Sequence, residues 1–174
     1  SLSLQRIGHQ VVMQCAAGIW TSGPSGLKSG DYQIKFLADR FVVAPFWHAQ
    51  RMLADSHQPN ICGGYHTIYN GSRGNPDLVF SDWMAAVSDS GATLVLRIQN
   101  PNAEAIDLDA SIMGGPWLTH VNVVTLSGDS LSAENDFNTP NAVAPVYSTL
   151  VTTGRRIRTS LAPFSFTVLT LLRA

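Results

Sequence analysis

The sequence predicts a mainly β protein, an antiparallel β-sandwich or jelly roll preceded by one βα unit. Three observations carry that expectation. From residue 83 to 172, short runs of alternating apolar and polar residues follow one another with turn residues between them. Ahead of them, Val11 to Ile19 is an apolar run without alternation. Only one stretch, residues 44 to 57, repeats its apolar residues at helical spacing.

Taken in order, "VVMQCAAGI" suits a strand buried on both faces, as in a parallel sheet. "WTSGPSGLKSGDYQ" reads as a loop, rich in glycine and serine with one proline. "APFWHAQRMLADSH" reads as a helix. Pro45 fits its first turn, where a missing N–H costs nothing. Phe46, Ala49 and Leu53 recur on one stripe with His48 and Met52 beside them, and Pro59 and Gly63 end it. Strand, loop and helix together form the βα unit.

The remainder reads as β. Trp83 to Ser88 is a strand, and Asp89-Ser90-Gly91 is a turn. "ATLVLRIQN" sets Leu94, Leu96 and Ile98 on one face, with Val95, Arg97 and Gln99 on the other. "AIDLDASI" points Ile106, Leu108, Ala110 and Ile112 inward and Asp107, Asp109 and Ser111 outward, the half-buried antiparallel pattern. Strands follow at His120 to Leu126, Val146 to Val151, Arg156 to Leu161 and Phe164 to Leu172. The last is apolar on both faces and is expected in the middle of a sheet.

The chain of 174 residues suits one domain, or a domain with part of another, and can bury a core without disulfide or metal staples. Its 45% hydrophobic content is that of a globular protein. Charged residues make up 13%, and a net charge of −1 steers the chain toward neither nucleic acid nor an anionic membrane. Arg155, Arg156 and Arg158 form the one basic cluster. Arg156 and Arg158 share a strand face, read as solvated. No run reaches the roughly 18 apolar residues of a membrane helix. "SLSLQRIGHQ" is too polar for a signal-peptide core and lacks a starting Met, which reads as a processed or partial piece. Asn70-Gly71-Ser72 is a glycosylation acceptor pattern and hints at an extracellular or secretory-pathway setting. The spacing of Cys15 and Cys62 fits no metal motif. Cys15 reads as a buried side chain, with a Cys15–Cys62 disulfide as the other reading.

One stretch stands out among the strands. "LSAENDFNTPNAVAPV", residues 131 to 146, is a polar loop set between two β runs. Its expected role is structural. Asp129, Glu134 and Asn135 would cap turns by bonding backbone N–H groups, Pro140 and Pro145 would stiffen the exit, and Phe137 would anchor it. The competing reading gathers Asp129, Glu134 and Asp136 into a sugar or calcium site, although no twelve-residue calcium loop is present.

The run "VNVVTLSGDSLSAENDFNTPNAVAPV" followed by "LAPFSFTVLTLL" resembles the C-terminal end of family 51 α-L-arabinofuranosidases. The shared pattern is a strand ending in Leu-Ser-Gly-Asp, then Ala-Glu-Asn, an aromatic residue, a Pro, and a closing Pro-Phe-Ser-Phe-Thr-Val-Leu. Here the family's Asn-Pro pair is widened to Asn138-Thr139-Pro140, and Ala162 replaces the first closing Pro. "VVMQCAAGIW" and "APFWHAQRML" resemble that family's last barrel strand and last barrel helix. The resemblance implies that residues 1–59 are the terminal βα unit of a (β/α)8 barrel and that 60–174 form a C-terminal β-sandwich. It implies a retaining glycoside hydrolase whose two carboxylates stand about 5 Å apart. Those carboxylates are glutamates on earlier barrel strands. The only glutamates here, Glu104 and Glu134, match neither motif, so no catalytic residue is assigned.

Barrel sites lie at the C-terminal ends of the strands. The resemblance makes Trp20 and Gln33 the candidates for binding substrate, each with a bland alternative in packing. Trp47 and His48 read as packing residues. His9, His57, His66 and His120 are too scattered for a metal site or triad, and no Gly-Xaa-Ser-Xaa-Gly elbow occurs. No metal or other cofactor is expected. The implied partners are the remainder of the barrel, on the same precursor or a separate chain, and an arabinose-containing poly- or oligosaccharide. No nucleic-acid or membrane partner is expected, and self-association into a homo-oligomer stays open. Two functions compete: a C-terminal portion of an arabinofuranosidase-like hydrolase, inactive alone, or a non-catalytic sandwich for carbohydrate binding or assembly. Trp83 and Trp117 in an exposed row would favour the second.

Overall fold

A computed structural model describes residues 20–22, 33–64 and 82–174. Eleven strands and one helix lie among them: β1 Trp20–Ser22, β2 Ile34–Leu37, β3 Arg40–Val43, α1 Pro45–Asp55, β4 Asn60–Cys62, β5 Trp83–Val87, β6 Thr93–Asn100, β7 Ile106–Ser111, β8 His120–Ser127, β9 Val146–Val151, β10 Arg156–Leu161 and β11 Ser165–Leu172. The expected run Val11–Ile19, with Cys15 and His9, lies outside the described residues. So do His66 and the Asn70-Gly71-Ser72 pattern.

The centre is a six-stranded antiparallel sheet in the order β4-β5-β6-β11-β8-β9. Strand β11 lies between β6 and β8, as its apolar faces required. Beneath one face lies a two-stranded sheet of β10 and β7. Leu94, Leu96, Ile98, Val121, Leu169 and Leu171 meet Ile157, Leu161, Leu108, Ala110 and Ile112 there. The outward half of β7 behaves as the alternation demanded. Asp109 accepts hydrogen bonds from Arg156 at 2.6 Å and Arg158 at 3.2 Å on the exposed side.

The opposite face of the large sheet is covered by α1 and by the loop between β8 and β9. Met52, Met84, Ala86, Val95, Leu126, Val143, Phe166 and Val168 form that second core, with Ala49, Leu53 and Ala133 against it. The helical stripe facing the sheet is thus Ala49, Met52 and Leu53. Phe46, expected on it, is 40% exposed. Helix α1 begins at Pro45 with no side-chain cap.

Three expectations are corrected or extended. Residues 20–22, read as the start of the loop, form β1, and residues 34–43, given no element from the sequence, form the hairpin β2–β3; β1 pairs with β2 in parallel, Trp20 opposite Ile34. Strand β4 was also missed, being three residues long at the edge of the large sheet. Lastly, the mixed Val95 and Arg97 face of β6 is covered as well as its Leu94, Leu96 and Ile98 face, because α1 lies over it and Arg97 is 1% exposed.

Candidate functional site

The two residues expected at the site fall close together. Trp20 opens β1 and is the register partner of Ile34, the residue after Gln33. Gln33 is half-buried, and its carbonyl accepts the Ala44 N–H at 2.8 Å. The small sheet therefore sets both candidates at one end of the β1–β2 pair.

What holds that sheet in place is the polar loop 131–146. Asn135 is fully buried. Its Nδ2 donates to the Val43 carbonyl at 2.9 Å and to the Val143 carbonyl at 2.8 Å, and its Oδ1 accepts the Val143 N–H at 2.7 Å. One amide thus closes its own loop and grips the end of β3. Beside it, Glu134 Oε2 accepts from Lys35 Nζ at 3.1 Å, across 99 residues of sequence. Lys35 is 3% exposed although it sits on a hairpin. Next along, the Arg40 guanidinium lies 5.3 Å from the centre of the Phe137 ring. Ala-Glu-Asn-Asp-Phe is therefore a latch, in which Glu134, Asn135 and Phe137 each take a partner on β2 or β3.

The expected capping role divides accordingly. Asn135 bonds backbone as anticipated. Glu134 does not, since its partner is the Lys35 ammonium. The residue that caps the turn is Asp136, whose Oδ1 accepts from Asn138 N at 2.8 Å, Thr139 N at 2.6 Å and Thr139 Oγ1 at 2.9 Å. Those donors, the Thr139 N–H foremost, lower its carboxyl pKa. The acidic-cluster reading fails on the same facts: Glu134 turns to Lys35, Asp136 turns to its own loop, and Asp129 stands exposed. Among the described residues, no three His, Cys, Asp or Glu side chains converge as metal ligands would. None of their helices is long and apolar enough to cross a membrane.

Trp83 packs against the core beneath the large sheet, and Trp117 is 8% exposed within it, so neither forms part of an exposed aromatic row. Trp47 and His48 lie on α1 with their rings edge to face, 5.2 Å apart. Burial, then the nearby Arg51, lowers the His48 pKa, which favours the neutral ring. His57 and His120 lie at the helix exit and on β8. The two glutamates form no catalytic pair. Glu104 is exposed in the β6–β7 connection, and Glu134 is committed to Lys35.

Sequence reasoning also missed a second polar knot. Asn100 is 1% exposed. It donates to the Glu104 and Ala162 carbonyls at 2.9 Å each and accepts from Asn102 Nδ2 at 3.0 Å. Asn102 in turn accepts the Phe164 N–H at 3.0 Å through its carbonyl, and Phe164 has a φ of 44°. An open depression of about 520 Å³ lies alongside, between Ala103, Gly128, Asp129, Ala142, Pro163 and Phe164. Its lining holds one carboxylate, and it is remote in sequence from Trp20 and Gln33.

The fold and the latch together define a β-sandwich with a hairpin–helix unit clamped to one face. That fold is found within α-L-arabinofuranosidases of glycoside hydrolase family 51. An arabinose-bound member superposes on 99% of this chain with a TM-score of 0.82 at 17% identity, the match covering 26% of that enzyme. The arabinose complex of the α-L-arabinofuranosidase from Thermotoga maritima matches 97% of this chain with a TM-score of 0.78 at 18% identity, over 36% of its own chain. The family 51 arabinofuranosidase from Xanthomonas axonopodis pv. citri matches 81% with a TM-score of 0.62 at 18% identity, over 29% of its chain. At such identities the likeness is one of fold. The chain spans about a quarter to a third of the length of these enzymes. No protein-family model and no curated protein sequence matches it.

Proposed function

We propose that this chain is the sandwich-bearing, non-catalytic portion of an α-L-arabinofuranosidase-like glycoside hydrolase. Residues 1–59 would supply the last βα unit of a (β/α)8 barrel, and residues 60–174 the C-terminal sandwich. The retaining carboxylate pair would then lie on barrel strands beyond these 174 residues. The observation that carries the reading is the superposition of 99% of the chain on an arabinose-bound enzyme. In this role Trp20 and Gln33 form part of the rim that meets the sugar, Trp20 by stacking and Gln33 by hydrogen bonding. The substrate is an arabinose-containing oligo- or polysaccharide, which suits a secreted enzyme.

The test is hydrolysis of 4-nitrophenyl α-L-arabinofuranoside by the 174-residue chain and by the same chain joined to its catalytic portion. Turnover only in the second supports the proposal. Turnover by the first that survives Glu104→Gln and Glu134→Gln together overturns it. No turnover in either, with retained binding to arabinan, favours a stand-alone sandwich module. The interior positions of Trp83 and Trp117 weigh against that alternative.

A further inference from the structure

We propose that Asn135 is a positioning residue for the sugar-facing rim, acting on Gln33 through two consecutive backbone groups. Its Nδ2 fixes the Val43 carbonyl at 2.9 Å, and the next residue, Ala44, donates its N–H to the Gln33 carbonyl at 2.8 Å. Val43 is also the register partner of Ile34, so the end of β2 is held both by the ladder and by the Ala44 bond. The three bonds of Asn135 use both its amide hydrogens and its oxygen and so fix one orientation of the buried amide. The Lys35–Glu134 pair, two residues further along, is a second tie between that strand and the loop. A sandwich loop far along the chain thereby sets the place of a residue at the mouth of the neighbouring unit.

The inference rests on Gln33 meeting the sugar, so its experiment separates the two claims. In the protein with its catalytic portion present, Asn135→Ala is compared with Gln33→Ala, with the double variant and with Ile157→Val. The last is a core control in the opposite layer, matched for thermal midpoint by the choice of temperature. Two readouts are used: KM and kcat on 4-nitrophenyl α-L-arabinofuranoside, and amide hydrogen exchange at Ala44.

The expected result for Asn135→Ala is a KM raised about tenfold with kcat within about twofold. No further rise should occur in the Gln33→Ala background, and exchange at Ala44 should be faster. The Ile157→Val control should move neither KM nor the Ala44 amide. Unchanged exchange at Ala44 overturns the relay, whatever the kinetics show. Additive effects of Asn135→Ala and Gln33→Ala overturn it as well, because the two residues then act independently. Faster exchange with a KM that Gln33→Ala leaves untouched overturns the sugar-rim reading instead, and the positioning role falls with it.

Discussion

Replacing Arg97 with methionine should loosen the helix from the sheet without emptying the core. Arg97 lies in the middle of β6, on the face covered by α1, and is 1% exposed. Its Nε donates to Ser56 Oγ at 2.9 Å, and its terminal nitrogen donates to the Leu53 carbonyl at 3.4 Å and to the Ser56 carbonyl. Ser56 Oγ donates in turn to the Met52 carbonyl at 2.6 Å. These carbonyls belong to the C-terminal end of α1, where a helix leaves its last acceptors unmatched and carries partial negative charge. The helix has no basic residue of its own in its last turn, so a cation from the sheet does that work. Burial draws the Arg97 pKa down, a sign of what taking the charge out of water costs. Charge-assisted bonds contribute about 1.5–3 kcal/mol each. The relieved desolvation offsets part of their loss. The balance for Arg97→Met is a loss of about 3 kcal/mol, taking the weak 3.4 Å bond as minor. For a chain of this size that lowers the thermal midpoint by roughly 6–12 °C. The assay is thermal unfolding by circular dichroism, with exchange at the α1 amides beside it. A midpoint within a degree of the parent would refute the reasoning, since the charge would then cost as much as its bonds return.

Other outcomes follow from the same structure. Glu134→Ala should lower stability by about 1–2 kcal/mol, because it leaves the 3%-exposed Lys35 without this partner; urea unfolding should show most of that loss recovered when Lys35→Met is added. Asp109 is held at a pKa of about 2, first by its hydrogen bond with Arg156 and then by the charges of Arg156 and Arg158. Because its folded pKa is depressed, its contribution is present above the ordinary carboxyl value of 3.8 and is lost as pH falls toward about 2. Asp109→Asn should flatten the stability profile over that window, and added salt should shrink the difference because the pair is exposed. Gly154 has a φ of +77°, and a Cβ built there would meet the Trp117 carbonyl oxygen at 2.5 Å. Gly154→Ala should therefore cost roughly 2–4 kcal/mol, measured by chemical unfolding, with a loss below about 0.5 kcal/mol counting against the stated clash.

The strands that alternate were legible because a period of two is the direct imprint of one buried and one solvated face. Strand β7 shows this residue by residue, and β11 was legible as a central strand because both its faces are apolar. What misled the reading was burial supplied from a distance. Arg97 looks like the solvent side of β6 until α1 is laid over it, and Lys35 looks like a surface cation until Glu134 reaches it. The hairpin β2–β3 was legible in principle. "IKFLADRFVV" pairs Phe36 with Phe41 around an Ala-Asp turn, yet these residues, lying between the glycine-rich loop and the helix, were assigned no element. Phe137 was read as an anchor pushed inward; it is half-buried, with Arg40 over its ring. Among the site residues, Trp20 and Gln33 came from resemblance, while Asn135 was singled out by its motif but with only its local bonds foreseen.

The composition of the 131–146 loop now has a physical reason. A crossover that only had to join β8 to β9 could be any soluble sequence, because an exposed turn satisfies its backbone with water. Part of this one lies over an apolar face, with Val143 and Ala133 packed against the core, so its backbone there cannot rely on solvent. Asn135 meets that need where the loop is buried, through Val143, while at the exposed turn Asp136 bonds Asn138 and Thr139. Once Asn135 is buried for that purpose, its second amide hydrogen needs an acceptor of its own, and the Val43 carbonyl provides one. The union of the hairpin with the sandwich thus follows from satisfying one buried amide. The ion pair beside it, Lys35 with Glu134, favours a single register for the contact, since sliding β2 by one residue would turn Lys35 to the opposite face.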